Sequence, residues 1–542
     1  VVVIGSGAGA APAALTLCRA GLRVVVLEKG PALGSDDFRY DEISACRRDF
    51  FVPSPADDPH VAVPTDGAPR RTSDGWTACC VGGGTVHFSG FTYRLHPEDL
   101  ALRSLLGPVA GTTLADWPLR FAELAPYYER IEAELGISGD ATKNPFEPAH
   151  QLPLPPLPEN GFAPLIDAAC ARLGLHAYPT ARAILSAPYQ DRRPCERSYL
   201  CGSYGCHTGA KSSVLAALWP KALRTGTCQI RPACQAVAIE TDERGRATAV
   251  RYLDWKRQEH RLPASIVVVA CGAVETARLL LLSRGSTTHR EGLGNAHGQV
   301  GQNLLFCGLG MGEADFAADD PRVRGIDFRE PFVNRSFQDL YVLDRKSKTP
   351  KKGGTVNFLL PHGNPIHRAE QLALRGPRPL WGQALKDALR QAQKMRTLEF
   401  EVYSETLPLA ASRVTLDPEA RDRLGLPAAR FTLQQHPADQ AANAALLDRG
   451  LDVLRELGGG TPRITRRDQK NYVLQGGTCR FGVDPRTSVL DRDCRVHDAR
   501  NVFVTDGSFM PTMGGVPNTL TIQANALRVA DRILALARAQ SL

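Results

Sequence analysis

The first thirty residues constrain the fold of this chain more than any other segment. Residues 1–4 form an apolar, β-branched run that is typical of a buried parallel strand. A glycine-rich turn (GSGAGA, residues 5–10) follows, then a helical stretch, a second apolar run and Glu28. In such a unit the turn lets a pyrophosphate approach the backbone, the helix N-terminus faces the anion, and the acid accepts hydrogen bonds from a ribose. The predicted dinucleotide-binding residues are Gly5, Gly7, Gly9, Ala10 and Glu28. A carboxylate at the ribose favours FAD or NAD over NADP.

The rest of the chain is that of an ordinary globular protein. With 542 residues, the chain is long enough to fold into two or three lobes. Its 43% hydrophobic and 23% charged residues exclude a disordered chain, a collagen and a coiled coil. A net charge of +8 is mild for this length, so we expect no nucleic-acid partner. No apolar run approaches the roughly 18 residues of a spanning helix, so we predict no transmembrane segment.

The start of the chain bears on the expected compartment. The chain begins inside a strand and without Met, so we expect residues to precede it in the natural protein. Whether they include a targeting signal stays open. We expect a cytoplasmic protein, with the periplasm left open.

Similar strand–turn–helix patterns recur far along the chain. They lie at residues 266–283 and 501–536, and a second glycine-rich turn lies at residues 82–88. Both ends of the chain and its middle therefore supply units to one cofactor-binding domain, and the segments between them must build a second domain.

The motifs together resemble those of the glucose–methanol–choline (GMC) flavoprotein oxidoreductases, nearly end to end. They are GSGAGA with Glu28, VGGGTVHFSG (81–90), GCHTGAKSS (205–213), VVVACGAVETARLLLLS (267–283), GGTCRFGVDPRTSVLDRDCRV (476–496) and NVFVTDGSF (501–509) followed by TLTIQANALRVAD (519–531). Their order looks closest to the bacterial branch of FAD-dependent glucose, gluconate and fructose dehydrogenases. The resemblance implies FAD and an α/β fold (α+β overall), in which a Rossmann-like FAD-binding domain carries a substrate-binding domain built from insertions.

The resemblance also implies a domain plan and an activity. The FAD-binding domain would comprise residues 1–115, 195–305 and 470–542, and the substrate-binding domain residues 306–469 with parts of 40–75 and 116–194. The expected reaction is oxidation of a C–OH group of a sugar, polyol or other alcohol by hydride transfer to flavin. Two alternatives remain: a flavoenzyme of specialised metabolism with atypical oxidation chemistry, and a catalytically degenerate FAD-binding subunit. The expected partners are the small-molecule alcohol or sugar and an electron-transfer or small accessory subunit.

Further cofactor contacts follow from the resemblance. Gly83, Gly84 and Thr85 would lie along the pyrophosphate and ribityl chain, Cys234 beside the adenine, and Asp506 and Gly507 at the ribityl and phosphate. The amides of Asn518, Thr519 and Leu520, at the start of the last helix, would face the flavin pyrimidine. A helix N-terminus there stabilises the negative charge of the reduced flavin.

The catalytic positions depart from the family. In the family a His stands three residues before the glycine of a G-T-C-R-M-G-like segment, and here that position is Leu474. The partner segment of the family, N-P-x-x-T, begins here with Pro517. Neither Leu nor Pro accepts a proton. Three explanations stay open: a one-residue slip that brings Gln475 and Asn518 into those places, a base from elsewhere (His362, His367, His436 or Glu405), or a reaction other than ordinary alcohol oxidation.

Two further groups have alternative interpretations. His87 stands where some family members link the flavin covalently, so it is a covalent attachment site, a non-covalent flavin contact or a packing residue. Cys195, Cys201 and Cys206 have a C-x5-C-x4-C spacing. Three thiolates suit a [3Fe–4S] cluster, which some dehydrogenases of this branch carry in this region. A disulfide or redox pair and unliganded thiols are the other interpretations.

Overall fold

The structure is a computed structural model that describes residues 1–39, 41–42, 48–64, 67–147, 150–198, 200–285, 288–327, 329–343, 351–362, 364–374 and 376–540. The strands within these ranges are β1 Val2–Ile4, β2 Val24–Leu27, β3 His60–Val63, β4 Arg70–Thr72, β5 Tyr178–Pro179, β6 Cys228–Arg231, β7 Gln235–Thr241, β8 Ala247–Leu253, β9 Glu259–Pro263, β10 Val267–Val269, β11 Leu305–Ala317, β12 Val333–Phe337, β13 Val342–Leu343, β14 Lys351–Lys352, β15 Gly354–Leu359, β16 Met395–Ser404, β17 Arg413–Arg421, β18 Pro427–Thr432, β19 Arg463–Gly476 and β20 Val502–Val504. The α-helices are α1 Ala10–Arg19, α2 Arg48–Phe51, α3 Pro97–Leu100, α4 Leu102–Leu106, α5 Phe121–Leu135, α6 Ala163–Arg172, α7 Val214–Ala217, α8 Trp219–Arg224, α9 Ala273–Leu282, α10 Pro365–Leu374, α11 Gly382–Gln393, α12 Pro437–Glu456 and α13 Thr519–Arg538.

A five-stranded parallel sheet forms one half of the molecule. Its strand order is β20-β10-β1-β2-β6, so segments from both ends and the middle of the chain pair directly. Every residue of β1, β10 and β20 is buried, which explains their uninterrupted apolar sequences. The first and last long helices, α1 and α13, pack against each other beside this sheet. The predicted α/β class with a parallel sheet is confirmed.

A six-stranded antiparallel sheet dominates the other half. Its order is β19-β11-β16-β15-β12-β5. In β16, the apolar residues Leu398, Phe400 and Val402 belong to a core cluster that α12 shares through Leu446 and Leu447. The intervening residues of β16 are polar and face the opposite side of the sheet, because successive side chains of a strand alternate between its faces.

Smaller sheets complete the fold. Strands β17, β18, β3 and β4 form a four-stranded sheet, β7, β8 and β9 a three-stranded one, and β13 pairs with β14. The predicted domain boundaries at residues 115, 195, 305 and 470 stay a prediction. In the part of the chain that the structure describes, no helix is both long and apolar enough to cross a bilayer.

Candidate active site

A large cavity lies at the carboxyl ends of the parallel strands. Its volume is ≈ 890 Å³. Four parallel strands reach it at their carboxyl ends, through Gly5 after β1, Glu28 after β2, Ala270 after β10 and Asp506 near the end of β20. The opposite wall comes from β11, β16 and β19 of the antiparallel sheet. A crevice at this edge of a parallel sheet is where open α/β folds bind their ligands.

The first glycine-rich turn has the geometry of an anion cradle. A Cβ on Gly7 would meet only the Cα of Gly83, at 3.8 Å, so this position opens into the cavity. A Cβ on Gly9 would lie 2.4 Å from the carbonyl oxygen of Thr505, because α1 begins in direct contact with the end of β20. The N-terminus of α1 has no side-chain cap and no acidic residue in its first turn. Its amides therefore suit a negatively charged ligand such as a pyrophosphate.

Glu28 is held rigidly at the end of β2. The Ser6 hydroxyl donates to one carboxylate oxygen at 2.6 Å, and the amide of Gly30 donates to the other at 2.8 Å. Burial raises the pKa of Glu28 above its ordinary value, and these two donors oppose that effect. Each carboxylate oxygen has a second lone pair, so the side chain can still accept hydrogen bonds from the hydroxyls of a ribose.

The second glycine-rich turn packs against the first. A Cβ on Gly83 would lie 2.9 Å from the Cα of Gly7, so this backbone approach requires glycine at position 83. His87 follows at the end of the turn and lines the cavity. Its Nε2 lies 2.9 Å from the carbonyl oxygen of Thr77, and its ring stacks on Phe51 with the centroids 5.1 Å apart.

The start of α13 provides a second uncapped helix N-terminus at the cavity. Asn518 occupies the N-cap position without a capping side-chain bond, and the first turn has no acidic residue. The Asn518 amide group donates to the backbone carbonyl of Gln475 at 3.1 Å. The loop before α13 is anchored by Glu405, which accepts hydrogen bonds from the amides of Met513 at 2.9 Å and Gly514 at 2.8 Å.

Gln475 braces the wall of the cavity. Its amide nitrogen donates to the carbonyl of Gly75 at 2.8 Å and to the Thr77 hydroxyl at 3.0 Å, while its side-chain oxygen accepts from the amide of Val274 at 3.0 Å. Leu474 precedes it and also lines the cavity. The catalytic roles predicted for Gln475 and Asn518 stay predictions.

The predicted cofactor-binding residues mostly lie at this cavity. Those that line it are Gly5, Gly7, Gly9, Glu28, Gly83, Gly84, Thr85, His87, Cys234, Asp506, Gly507, Asn518 and Thr519. The side chains of Ala10 and Leu520 are buried in the core.

The alternative bases lie elsewhere. None of His362, His367 and His436 lines the cavity, nor does Glu405. His362 packs against Phe332, and burial lowers its pKa to about 4. His436 caps α12 by accepting from the amide of Ala438 at 3.2 Å.

The polar wall opposite the glycine turns was not anticipated from the sequence. It consists of Glu401 and Tyr403 on β16 and Arg466 and Lys470 on β19. The Tyr403 hydroxyl donates to Glu401 at 2.7 Å. Burial raises the pKa of Glu401 to about 7, although Tyr403 and the neighbouring arginines lower it. The alternation of apolar and polar residues in LEFEVY (398–403) is a signal that could have indicated this face.

The three cysteines line a separate, smaller cavity of ≈ 60 Å³. The Cys195 sulfur accepts from the amide of Arg197 at 3.4 Å, and the Cys206 sulfur from the amide of Lys211 at 3.5 Å. Among the described residues, no group of three or more His, Cys, Asp or Glu side chains is arranged to hold a metal ion. The cluster predicted at Cys195, Cys201 and Cys206 stays a prediction.

Comparison with known proteins identifies the family. The models of the N- and C-terminal GMC oxidoreductase domains match residues 113–306 and 408–526, and that of an FAD binding domain matches residues 1–39. The 6'''-hydroxyparomomycin C oxidase of Streptomyces lividus is 34% identical over 98% of this chain and 91% of its own length. The chain is a GMC oxidoreductase.

Two other comparisons extend this result. The fructose dehydrogenase large subunit of Gluconobacter japonicus is 28% identical to this GMC oxidoreductase, over 98% of this chain and 97% of its own. The crystal structure of pyridoxine 4-oxidase from Mesorbium loti superposes with a TM-score of 0.64 at 18% identity, covering 98% of this chain and 99% of that one. The predicted family and fold are thereby confirmed. As a GMC oxidoreductase, the protein is an FAD-dependent enzyme acting on CH–OH groups.

Proposed function

We propose that this GMC oxidoreductase oxidises a hydroxyl group of a polar, sugar-sized alcohol inside the cavity between its two main sheets. One observation carries the proposal: a single cavity joins the glycine-rich cradle at Gly7 and Gly83 to the polar wall at Glu401 and Tyr403. Its volume of ≈ 890 Å³ lies in the range of pockets that enclose small organic ligands.

FAD would be held along the edge of the parallel sheet. The α1 amides at the turn containing Gly7 would neutralise the pyrophosphate, and Glu28 would bind the adenosine ribose. The N-terminus of α13 at Asn518 would face the flavin, where its positive end stabilises charge that develops on reduction. When bound, FAD would be the oxidant that accepts the two electrons of the alcohol C–H bond.

The polar wall would orient the substrate. Arg466 and Lys470 present hydrogen-bond donors to the cavity, and Glu401 and the Tyr403 hydroxyl oxygen present acceptors. Such mixed donors and acceptors suit a compound with several hydroxyl groups better than a long-chain aliphatic alcohol. The relatives support this substrate class, since one is an oxidase of 6'''-hydroxyparomomycin C and another the large subunit of a fructose dehydrogenase.

Finer features of the cofactor and its partners belong to the same proposal. We infer that His87 contacts the flavin, either with or without a covalent bond. The [3Fe–4S] cluster and a partner electron-transfer subunit are predictions from the family, and the compartment, cytoplasm or periplasm, is a prediction from the sequence. Acid precipitation of the purified protein distinguishes covalent from non-covalent binding of the flavin, because covalently bound flavin colours the pellet and free flavin colours the supernatant. Iron and sulfide assays on the same sample test the cluster, for which about three irons per flavin are expected.

A degenerate FAD-binding subunit is the second candidate. It is favoured by Leu474, an apolar side chain that lines the cavity where the family has its His. Such a protein would bind FAD but would not reduce it with any alcohol.

Anaerobic reduction of the flavin tests the proposal. The purified holoenzyme is mixed with a panel of sugars, sugar alcohols, amino sugars and aliphatic alcohols, and bleaching of the flavin absorption is recorded. We expect bleaching by at least one polyhydroxylated compound and none in a Tyr403→Ala/Arg466→Ala double variant that retains its FAD. Bleaching only by aliphatic alcohols would refute the proposed substrate class, and bleaching by no compound would support the degenerate subunit.

A further inference from the structure

The proton of the substrate hydroxyl has no acceptor at the usual place. Leu474 and Pro517 occupy the two family positions, and both line the cavity. Oxidation of an alcohol requires that this proton leave as the C–H electron pair departs, so another side chain in the cavity must take it.

The groups suggested from the sequence are committed to other contacts. His436 caps α12, and Glu405 accepts hydrogen bonds from backbone amides of the loop before α13. His362 and His367 lie outside the cavity lining. None of them is therefore placed to meet a substrate bound there.

Glu401 is placed differently. It lies on β16, opposite Met311 of β11 and Asn357 of β15, and its side chain lines the cavity. The Tyr403 hydroxyl holds one carboxylate oxygen at 2.7 Å. In the described part of the chain, no Lys, Arg or His lies within ion-pair distance of this carboxylate. The carboxylate thus faces the cavity with capacity to accept a proton.

We propose that Glu401 accepts the proton of the substrate hydroxyl. The role rests on the proposed alcohol oxidation. In the balanced step the substrate O–H bond breaks and its proton bonds to a Glu401 carboxylate oxygen. The C–H electron pair leaves with its hydrogen for bound FAD, the oxidant, and a C=O bond forms. Glu401 returns its proton to water before the next turnover.

The charges around Glu401 suit this role at neutral pH. Burial is the strongest influence on the pKa of Glu401 and raises it to about 7, while the Tyr403 hydroxyl, Arg182 and Arg466 lower it. Glu399 lies two residues away on the same strand, and the cross-strand neighbours Met311 and Asn357 are uncharged. A base whose pKa lies near the working pH combines an ionised ground state with an adequate driving force for proton transfer.

His87 is the rival within the cavity. Its Nε2 lies 2.9 Å from the Thr77 carbonyl, to which it can only donate, so the imidazole could accept a proton only at Nδ1. The ring is further fixed by stacking on Phe51. The experiment therefore includes a His87 variant.

The test compares the variants Glu401→Gln, Glu401→Asp and His87→Asn with the matched control Glu399→Gln. Glu399 lies on the same strand and its pKa is also raised to about 7, but it does not line the cavity. With a substrate that bleaches the wild-type flavin, we expect the rate of reduction to rise with pH through about 7. Glu401→Gln should lower the plateau by about 10²–10⁴-fold and abolish the inflection, and Glu401→Asp should restore part of the rate. Glu399→Gln should keep the plateau rate and retain an inflection.

A second readout does not depend on turnover. Infrared difference spectra of the oxidised holoenzyme, recorded across the neutral pH range, should contain titrating carboxyl bands, of which Glu401→Gln removes one component and Glu399→Gln a different one. FAD content and unfolding midpoint should be unchanged in this variant. If wild-type flavin is bleached and Glu401→Gln retains the rate and the inflection, or if only His87→Asn removes the inflection, Glu401 is not the acceptor. If no compound bleaches wild-type flavin, the proposed oxidation itself fails, and the role of Glu401 fails with it.

Discussion

Gly7 and Gly9 stand two residues apart in one turn, yet the structure predicts opposite consequences for Gly7→Ala and Gly9→Ala. The new methyl group of Gly7→Ala would meet only the Cα of Gly83 at 3.8 Å, an ordinary contact, and would protrude into the cavity. The methyl group of Gly9→Ala would lie 2.4 Å from the Thr505 oxygen and 2.9 Å from the Asp506 amide nitrogen. The first substitution should therefore weaken cofactor binding, and the second the fold.

The magnitudes follow from what each methyl group displaces. Holding the pyrophosphate away from Gly7 forfeits about two hydrogen bonds to a charged group, together about 4 kcal/mol. That loss corresponds to about 10³-fold weaker FAD binding. In Gly9→Ala, α1 and the end of β20 must separate, and overpacking of this kind costs about 3 kcal/mol of unfolding free energy.

The assay measures the two quantities separately. FAD affinity is obtained by titrating apoprotein with FAD and following quenching of flavin fluorescence. Urea unfolding is followed by circular dichroism without FAD, because bound cofactor stabilises the folded state by mass action. Wild-type FAD affinity in Gly7→Ala, or wild-type stability in Gly9→Ala, would refute the assignment of these two glycines.

Three further substitutions test other parts of the structure. Arg278→Leu leaves the buried carboxylate of Asp422, now 2.6 Å from the guanidinium, without its cationic partner. Urea unfolding should therefore show a loss of about 3–5 kcal/mol, and a loss below 1 kcal/mol would contradict this. Burial raises the Glu399 pKa from 4.5 to about 7, so the wild-type unfolding free energy should fall as pH rises across that window. Glu399→Gln should flatten this pH dependence. An unchanged slope in the variant would show that Glu399 is not its source. Gln475→Ala removes the hydrogen bond to the Thr77 hydroxyl among others, so urea unfolding should show a loss of about 2 kcal/mol. The pH inflection of flavin reduction should stay in place, and a displaced inflection would indicate a catalytic role for Gln475.

Local sequence was sufficient for the cofactor half of the cavity. A strand, a glycine-rich turn and a helix are neighbours in sequence, so Gly7, Glu28 and the N-terminus of α1 could be placed together without knowing the rest of the fold. The same reasoning placed Asn518 at the start of the last helix. These residues line the cavity as expected.

The substrate half could not be obtained in this way. Glu401 meets the cavity because β16 pairs with β11 in one register, Met311 opposite Glu401, across a large separation in sequence. A slip of one residue would turn Glu401 into the core and Phe400 towards the cavity. The alternation in β16 separates its two faces, but no local pattern identifies β11 as its neighbour or Met311 as the residue opposite Glu401. Gln475 illustrates a related limit, since its contacts with the loop at Thr77 join segments about four hundred residues apart.

The strand order β20-β10-β1-β2-β6 has a consequence for biosynthesis. β10 can pair with its final partner, β20, only after more than two hundred further residues have been synthesised, because β20 lies near the end of the chain. At translation rates of about 5–20 residues per second, one edge of the parallel sheet waits about 10–50 s for its neighbour. During that interval the apolar β10 edge and the face of α1 that α13 later covers lie open, which makes the nascent chain a client for chaperones. The nucleotide site, whose most recognisable motif is synthesised first, is thus among the last parts of the molecule to be completed.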